Sequence, residues 1–257
     1  MSTLIRAEGV NLAFGGLQVL RDVSIDVPEE GITAIIGPNG AGKTALLNCI
    51  SGIYKPQSGT IPFQGRALQG HHPEKIARMG IGRSFQNLEL FAHLTVTENL
   101  LVARDKHFRG GSFRSMLFWG PGRRQEIQQR DEVEKVIDFF ELWHARNVKA
   151  EDLPYGQQKI VGVARAMATS PRLLLLDEPG SGLTRDEKED LARFLLRLRY
   201  DWGVCILWVE HDLQMVLDLA SRIHVLHLGN CIASGTPEEI RNEPAVVQAY
   251  VGGDEVK

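Results

Sequence analysis

A glycine-rich run that ends in lysine and threonine is the first stretch of this sequence able to do chemistry. The run GPNGAGKT, at Gly37–Thr44, fits the pattern G-x-x-x-x-G-K-[ST] and stands between a strand-like run and a helix-like run, as that pattern requires. Its glycines let successive backbone N–H groups turn toward phosphate oxygens without a Cβ clash. We therefore predict a site for ATP and Mg²⁺, in which Lys43 reaches the β- and γ-phosphates and Thr44 ligates the metal. The predicted phosphate-binding residues are Gly37, Pro38, Asn39, Gly40, Ala41, Gly42, Lys43, Thr44 and Ala45.

Two adjacent acids end an aliphatic run later in the chain. In LLLLDEP, Asp177 and Glu178 directly follow four leucines. At a strand end, Asp177 can hold Mg²⁺ directly or through water, and Glu178 can polarise an attacking water. The run alone is weak evidence, because many strands end in solvated acids. Together with the glycine-rich run it predicts hydrolysis of a phosphate bond.

Composition excludes several classes of protein. The chain has 257 residues, 43% hydrophobic and 24% charged, which is enough for one large domain or two lobes that share a core. A net charge of −3 lacks the basic excess of a nucleic-acid-binding protein. No secretory signal pattern opens the chain, and its aliphatic runs are far shorter than the roughly 20 residues of a membrane span. We expect a soluble, cytoplasmic protein with buried thiols at Cys49, Cys205 and Cys231.

The elements around these motifs alternate between strand and helix. Short strand-like runs and turns fill the first 30 residues, and the run GITAIIG leads into the glycine-rich loop and a helix. After Pro171, strands LLLLD, VCILWVE and IHVLHL alternate with helices at Asp186–Tyr200 and Asp212–Ala220. This rhythm predicts a mostly parallel sheet that helices cover on both faces.

A helical segment interrupts the α/β pattern from Thr95 to about Ala168. Thr95 and Glu98 have the spacing of a capping box at a helix start. We predict a single domain over residues 1–257, with a core at 1–86 and 160–257 and a helical subdomain at 87–159. A later helix is predicted to bury one face that contains Val133, Val136, Ile137, Phe140 and Trp143.

Six motifs together resemble those of ABC-transporter ATP-binding subunits, over essentially the whole chain. They are GPNGAGKT (Walker A), RSFQN (Q-loop), LPYGQQ (signature), LLLLDEP (Walker B), SGLT (D-loop) and VEHD (switch histidine), in the order and spacing of that family. LPYGQQ, at residues 153–158, is the most specific, since other P-loop ATPases lack a signature there. The resemblance implies a P-loop NTPase core with an N-terminal antiparallel β subdomain and an inserted α-helical subdomain.

By this resemblance, five further residues acquire roles. Gln86 senses Mg²⁺ and the nucleophilic water, and His211 contacts the γ-phosphate and steadies Glu178. Phe14, 29 residues before Lys43, stacks on adenine. Gly156 and Gln157 begin a helix whose exposed N–H groups face the ATP of a second ATPase chain. The implied catalytic residues are thus Glu178, His211, Gln86 and Lys43, and the implied metal ligands are Thr44, Gln86 and Asp177.

The sequence departs from the family pattern at three places. Pro154 and Tyr155 replace the serine and glycine of the common signature, so the half-site lacks a serine hydroxyl. Ala45 offers only its backbone N–H where a second hydroxyl often stands. Thr184 replaces the usual Asp or Asn of the D-loop and has the spacing of a capping box with Glu187.

A narrower resemblance is to the larger ATPase subunit of branched-chain amino-acid importers, with urea and amide importers as close relatives. It is carried by FGGLQVL, LPYGQQ and the final GTPEEIRNEPAVVQAYVGG. It implies a second ATPase chain, identical or different, a membrane permease that docks near 87–97, a solute-binding protein as an indirect partner, and peripheral attachment to the cytoplasmic membrane face. An exporter or lipid-extraction ATPase stays open as an alternative, and a soluble non-transport ABC ATPase is a more distant one.

Two segments keep alternative interpretations. The Gly- and Arg-rich stretch Arg104–Arg124 is either a solvated loop or a contact for anionic lipid or permease. The apolar residues next to Gln86 either dock a partner or belong to the core of the helical subdomain. These residues are Leu88, Leu90, Phe91 and Leu94.

Overall fold

The computed structural model describes residues 2–84, 89–104 and 121–251, and the side chains of these ranges except at 121–125 and 251. Within these ranges the strands are β1 (Thr3–Phe14), β2 (Leu17–Pro28), β3 (Ile32–Ile36), β4 (Ser58–Thr60), β5 (Pro62–Phe63), β6 (Arg66–Ala67), β7 (Ile81–Ser84), β8 (Leu173–Asp177), β9 (Cys205–Val209), β10 (Arg222–His227) and β11 (Asn230–Gly235). The helices are α1 (Lys43–Ile50), α2 (Pro73–Arg78), α3 (Val96–Ala103), α4 (Pro121–Phe139), α5 (Tyr155–Ala168), α6 (Arg185–Trp202), α7 (Leu213–Leu219), α8 (Pro237–Arg241) and α9 (Pro244–Val251), and a 3₁₀ turn covers Ala150–Asp152. No helix formed by the described residues combines the length and the apolar character that crossing a bilayer would need.

The central sheet has the order β11-β10-β3-β9-β8-β7. All neighbouring strands in it are parallel except β10 and β11. Every residue of β3, β8 and β9 is buried, as expected for parallel strands that helices or other layers cover on both faces. The α/β core predicted from the alternating pattern is therefore confirmed.

Successive side chains of the central strands enter two separate hydrophobic cores. Ile35 and Leu175 face the layer formed by β1, β2 and α1. Leu174 and Trp208 face the opposite layer, where α5 and α6 pack. The period of two along each strand accounts for this division. Because both faces are filled with apolar side chains, polar chemistry is left to the strand ends.

The N-terminal strands form a second sheet, of antiparallel type. Its order is β2-β1-β5-β6, and β4 also pairs with β1. This arrangement agrees with the antiparallel β subdomain predicted for the N-terminus. It places the end of β1, where Phe14 lies, beside Leu17 at the start of β2.

Three helices, α3, α4 and α5, pack against one another beside the core. The predicted capping box is present at the start of α3, where Thr95 N donates to Glu98 Oε2 at 2.8 Å and Glu98 N donates to Thr95 Oγ1 at 3.2 Å. Helix α5 runs without a break past residue 159 and contacts α3, α4 and β7. The exact division into a core and a helical subdomain at 87–159 stays a prediction.

The predicted buried face of α4 is correct for all of its members but one. Val133, Val136, Ile137 and Phe140 are buried, whereas Trp143 is 62% exposed. The helix ends at Phe139, and Glu141 has a left-handed φ of 59°, so the helical period does not extend to Trp143. The prediction for Trp143 is therefore wrong.

Arg104 does not belong to an exposed basic surface. Its side chain is buried, with Nε donating to Gln129 Oε1 at 2.5 Å and Nη1 to Ala168 O at 2.8 Å. Arg104 thus ties α3 to α4 and α5. Of the other cations in the predicted lipid- or permease-contacting stretch, Lys106, Arg109 and Arg114 lie outside the described residues, as do the side chains of Arg123 and Arg124.

The three cysteines are free thiols. Cys49 and Cys205 are buried, and burial raises the pKa of each thiol to about 12. Cys231 is only half-buried, so the prediction of burial holds for two of the three. The partial exposure of Cys231 follows from its place on β11, the edge strand of the central sheet.

Candidate functional site

Three loops meet where the strands β3, β9 and β8 end. These strands are neighbours, with Ile35 paired to Val209 and Asp177 paired to Val209. The crevice at the carboxyl ends of parallel strands is where open α/β sheets bind ligands. It gathers here the glycine-rich loop, the two acids of LLLLDEP and the histidine of VEHD.

The glycine-rich loop is held tightly against the strands beneath it. Gly42, the residue before α1, has a φ of 100°, and a Cβ atom there would lie 2.9 Å from Val19 O. At Gly37, with a φ of 149°, a Cβ atom would overlap the Leu226 carbonyl oxygen. Both positions therefore need glycine for conformation and for space.

Lys43 folds back over this loop. Its Nζ donates to Gly37 O at 2.7 Å and to Pro38 O at 3.0 Å, and the side chain is buried. Burial lowers the pKa of Lys43, and the carboxylates of Glu178, Asp177 and Glu210 oppose that shift. The ammonium thus lies between the loop and a group of acids, a place suited to the terminal phosphates of a nucleotide.

Thr44 and Asp177 come together from two different elements. Thr44 Oγ1 donates to Asp177 Oδ1 at 3.1 Å, although 133 residues separate them. Burial raises the pKa of Asp177, while the Arg83 guanidinium and the Thr44 hydroxyl act in the opposite direction. A hydroxyl and a carboxylate oxygen are hard oxygen ligands, which Mg²⁺ prefers alongside phosphate oxygens. The donor set present therefore fits the predicted metal.

Glu178 has a backbone conformation that few residues other than glycine adopt. Its φ is 49°, and its N–H donates to Val209 O at 2.9 Å. Left-handed conformations of residues with a Cβ atom are uncommon and cluster at functional sites. The turn directs the carboxylate toward His211, whose Nδ1 lies 3.7 Å from Glu178 Oε1.

Glu210 is a site residue that the sequence analysis missed. It is buried, with Oε1 accepting from His211 N at 3.0 Å and Oε2 accepting from Gly180 N at 3.3 Å. One carboxylate therefore joins the loop of the switch histidine to the loop after LLLLDEP. The available signal was the acid itself, because a carboxylate directly after the buried strand CILWV must find partners there.

Phe14, the last residue of β1 in the antiparallel sheet, presents a half-exposed aromatic ring. It is 48% exposed, and its ring lies edge-on to Tyr54 with centroids 5.0 Å apart. Such a pair keeps one ring in place while leaving much of its surface accessible. Stacking of adenine on Phe14 stays a prediction.

The signature helix differs from its prediction at its first turn. Helix α5 begins at Tyr155 with Pro154 before it, one residue earlier than expected. Gln157 is exposed, but Gly156 is buried, and a Cβ atom on it would overlap the Glu187 carboxylate. Gly156 is thus covered by a side chain of α6, and the predicted role of its N–H group toward a partner's ATP stays a prediction.

Glu187 reaches this position through the predicted capping box of α6. Thr184 N donates to Glu187 Oε2 at 2.8 Å, and Glu187 N donates to Thr184 Oγ1 at 3.4 Å. The structural role predicted for Thr184 is confirmed. Gln86, with its neighbours Asn87 and Leu88, lies outside the described residues. Of the other apolar residues near it, Leu90 and Leu94 are partly buried and Phe91 is 47% exposed.

The C-terminal helix also reaches the glycine-rich loop. Burial raises the pKa of Tyr250 on α9, and the Gly37 backbone nearby opposes that shift. Nothing in the spacing of the sequence links a residue so near the C-terminus to Gly37. The contact arises because α9 packs beside β11.

Comparison with known proteins identifies this arrangement. The ABC transporter family profile matches residues 20–181. The chain belongs to the ABC transporter family. A second profile, described as branched-chain amino acid ATP-binding cassette transporter, matches residues 231–256 of this ABC ATPase. Membership confirms the resemblance drawn from the motifs, and with it ATP binding and hydrolysis.

Curated relatives align with nearly the whole chain. The high-affinity branched-chain amino acid transport ATP-binding protein LivG of Salmonella typhimurium is 41% identical over 249 residues, which are 97% of this chain and 98% of that protein. The corresponding BraF protein of Pseudomonas aeruginosa is 40% identical over 253 residues, 97% of this chain and 98% of its own. Both carry the ATP-binding role in their names.

Solved structures agree with the fold. An ATP-binding cassette of an ABC transporter in its ADP conformation has a TM-score of 0.85 and 31% identity, covering 98% of this chain and 100% of that one. A dimeric bacterial ABC transporter cassette has a TM-score of 0.76 and 25% identity, covering 91% of this chain and 98% of its own. Cassettes of this family form dimers and work in transporter complexes with membrane components.

Proposed function

We propose that this ABC ATPase is the ATP-hydrolysing subunit of an importer for branched-chain or other hydrophobic amino acids, or for related small solutes. The observation that carries the proposal is the convergence of Lys43, Thr44, Asp177, Glu178 and His211 at the ends of three neighbouring strands. Relatives named for branched-chain amino acid transport, at 39–41% identity over nearly the full length, supply the solute class. The C-terminal match at 231–256 supports the same class.

In the proposed reaction, each side chain of the site acts on the terminal phosphate. Lys43 neutralises charge on the β- and γ-phosphates, and Glu178 accepts a proton from the water that attacks the γ-phosphorus. The products are ADP and inorganic phosphate. Thr44, Asp177 and Gln86 would hold Mg²⁺ together with phosphate oxygens, and the ion would supply positive charge for the oxygens of the leaving group.

His211 and Glu210 serve this chemistry by placement. With its Nδ1 atom 3.7 Å from Glu178 Oε1, the imidazole of His211 is close enough to steady the carboxylate and still half exposed toward the phosphate side. The Glu210 carboxylate holds the backbone of His211 by accepting a hydrogen bond from its N–H. Phe14 provides the surface on which adenine stacks.

The second half of each ATP site comes from a partner ATPase chain, identical or different. The start of α5, with Gly156 and Gln157, faces the partner's γ-phosphate, and the helix dipole favours negative charge there. In the single chain the Glu187 carboxylate lies against Gly156, so the proposal requires this carboxylate to move away when the two chains close on ATP. ATP drives closure because it binds the closed dimer more tightly than the open one.

The same proposal places the chain at the cytoplasmic face of the membrane, bound to permease subunits near residues 87–97. The decisive experiment is reconstitution with its permease and binding protein in liposomes loaded with ATP, followed by uptake of radiolabelled leucine or urea. Uptake of leucine that Glu178→Gln abolishes and Glu189→Gln preserves is expected. Glu189 is a matched control because its carboxylate is exposed on α6 and pairs only with Arg185 among the described residues.

Three other results would contradict parts of the proposal. Solute movement outward from the ATP-containing side would favour the exporter alternative. A Glu178→Gln protein that hydrolyses ATP at the normal rate would remove the general-base role. Salt-dependent binding to nucleic acid would support the soluble, non-transport alternative.

A further inference from the structure

A buried arginine stands behind the carboxylate that is proposed to hold the metal. Arg83 lies on β7, and its guanidinium Nη2 donates to Asp177 Oδ2 at 3.3 Å. The side chains of Arg83 and Asp177 are only 7% and 2% exposed. An arginine side chain with so little exposure is unusual, and neither the motifs nor the family resemblance assigned it a role.

The other end of the guanidinium is anchored to the helix that follows the glycine-rich loop. Arg83 Nη1 donates to Ser51 Oγ at 2.6 Å, and Ser51 Oγ donates to Leu47 O at 2.9 Å. Ser51 directly follows α1, and Thr44 is in the first turn of the same helix. Arg83 therefore connects both elements that supply the proposed metal ligands.

The two oxygens of Asp177 have different partners as a result. Oδ2 accepts from Arg83 and Oδ1 accepts from Thr44 at 3.1 Å. A carboxylate can rotate about its last bond, and two partners on opposite oxygens prevent that rotation. Partners of this kind commonly orient metal ligands and keep them ionised.

Stability alone is a poor account of this pair. Removing a guanidinium and a carboxylate from water is expensive, and buried ion pairs often contribute little net stability compared with apolar residues of the same size. Burial raises the pKa of Asp177 and lowers that of Arg83, and each group acts against the shift of the other. The clearest use of the buried Arg83–Asp177 pair is therefore to orient the Asp177 carboxylate, and not to stabilise the fold.

We propose that Arg83 is a positioning residue for the metal site: it holds Asp177 Oδ2 so that Oδ1 faces Thr44 and the metal of the bound nucleotide. This inference rests on the proposed function, since it takes Thr44 and Asp177 as the Mg²⁺ ligands. In the sequence, Arg83 stands three residues before Gln86, the predicted sensor of Mg²⁺ and of the nucleophilic water.

The test measures how much Mg²⁺ tightens nucleotide binding. The dissociation constant of a fluorescent ATP analogue is determined for the full chain with Mg²⁺ and again with EDTA, and the ratio of the two constants is the magnesium gain. Arg83→Gln is expected to lower this gain by about 10-fold or more, the usual effect of losing a group that orients a metal ligand, while binding in EDTA changes little. Ser51→Ala, which keeps the arginine but removes its anchor, is expected to give an intermediate reduction.

Arg78→Gln is the matched control, because Arg78 is an exposed arginine on α2 that pairs with Glu74. It should leave the gain unchanged. Arg83→Lys tests shape, since an ammonium cannot hold Ser51 and Asp177 with the two arms of a fork, and it should restore only part of the gain. Thermal melts of every variant identify any that fail to fold, and Ser51→Ala and Arg83→Lys then carry the test.

The two proposals fail in different ways. A wild-type chain whose ATP affinity does not respond to Mg²⁺ would remove the metal role of Thr44 and Asp177. A normal wild-type response that persists in Arg83→Gln, or in Ser51→Ala and Arg83→Lys if Arg83→Gln is unfolded, would overturn the role of Arg83 alone. Equal losses of affinity with Mg²⁺ and with EDTA would make Arg83 a structural residue and would also overturn it.

Discussion

Nδ1 of His211 lies 3.7 Å from Oε1 of Glu178, across the ends of two neighbouring parallel strands. The two residues are 33 positions apart in sequence, but Glu178 follows β8 and His211 lies just beyond β9. Their approach brings an imidazole and a carboxylate together at the ends of β9 and β8, beside β3, which leads to the loop of Lys43.

Glu178→Gln is expected to lower kcat for ATP hydrolysis by roughly 10²- to 10⁴-fold, the range typical of losing a general base. Because the glutamine has nearly the same shape, ATP binding should remain and an ATP-bound dimer should accumulate. Steady-state hydrolysis and size-exclusion chromatography with ATP check the two parts. Glu189→Gln serves as the control and should keep its kcat. A Glu178→Gln protein with normal kcat would contradict the assignment.

Glu210→Gln is expected to reduce both stability and turnover. The amide can accept from only one of Gly180 N and His211 N, so one buried N–H loses its acceptor, which costs about 1–3 kcal/mol of the free energy of unfolding. Turnover should fall because the two loops lose their common anchor, whereas KM for ATP should change little. Urea denaturation and steady-state kinetics check both effects. Unaltered kcat in a destabilised protein would show that the link matters only for folding.

Gly156→Ala is expected to displace the Glu187 side chain, since the new methyl group would overlap its carboxylate. Loss of the capping box should then cost roughly 1 kcal/mol of stability. Gly162→Ala on the same helix is the matched control, because the nearest atom to a Cβ there is Ser84 Oγ at an ordinary 3.6 Å. If Glu187 is also replaced by alanine, the clash is absent, and the double variant Gly156→Ala/Glu187→Ala should be as stable as Glu187→Ala alone. Thermal denaturation of the wild type, the three single variants and the double variant measures this, and a difference between the double variant and Glu187→Ala would refute the clash.

His224 is expected to make the fold sensitive to mild acid. It is buried, its Nε2 donates to Asp26 O at 2.7 Å, and its Nδ1 has no hydrogen-bond partner among the described residues. Burial lowers the pKa of His224, and the Arg222 guanidinium acts in the same direction, whereas Asp26 opposes it. The unfolded chain therefore binds a proton at a higher pH than the folded chain does.

Stability is complete above the unfolded pKa of about 6.5 and falls as the pH drops toward the lower folded pKa, by at most about 1.4 kcal/mol per pH unit. His224→Gln should flatten this slope between about pH 7.5 and 5.5. His227→Gln, on the same strand but only half-buried, is the control. An equal slope in wild type and His224→Gln would assign the acid sensitivity to other groups.

Local patterns gave correct predictions where the chemistry is local. Thr95 with Glu98, and Thr184 with Glu187, form their capping boxes as the spacing predicts, because all the atoms involved lie within one turn. The glycine-rich loop was likewise identified from one short run of residues, although Val19 and Leu226 pack closely against two of its glycines. Trp143 shows the limit: the helical period predicted burial, but the end of α4 at Phe139 broke the period.

Contacts between distant elements were beyond the reach of such patterns. Arg83 and Glu210 are the two site residues missed, and both act through partners far away in sequence. Gly156 was predicted to be open, and a side chain from α6 covers it. Arg104 was grouped with exposed cations and is instead buried between three helices.

The sequence by itself determined the family, the order of the elements and the identity of the phosphate-binding loop, because these depend on residue types at short spacings. The tertiary structure decided which oxygen of Asp177 faces Thr44, how far His211 stands from Glu178, and what covers the start of α5. Those relations arise only when parallel strands bring their ends together and two hydrophobic cores fix the helices around them. Packing across the sheet, rather than spacing along the chain, sets their distances.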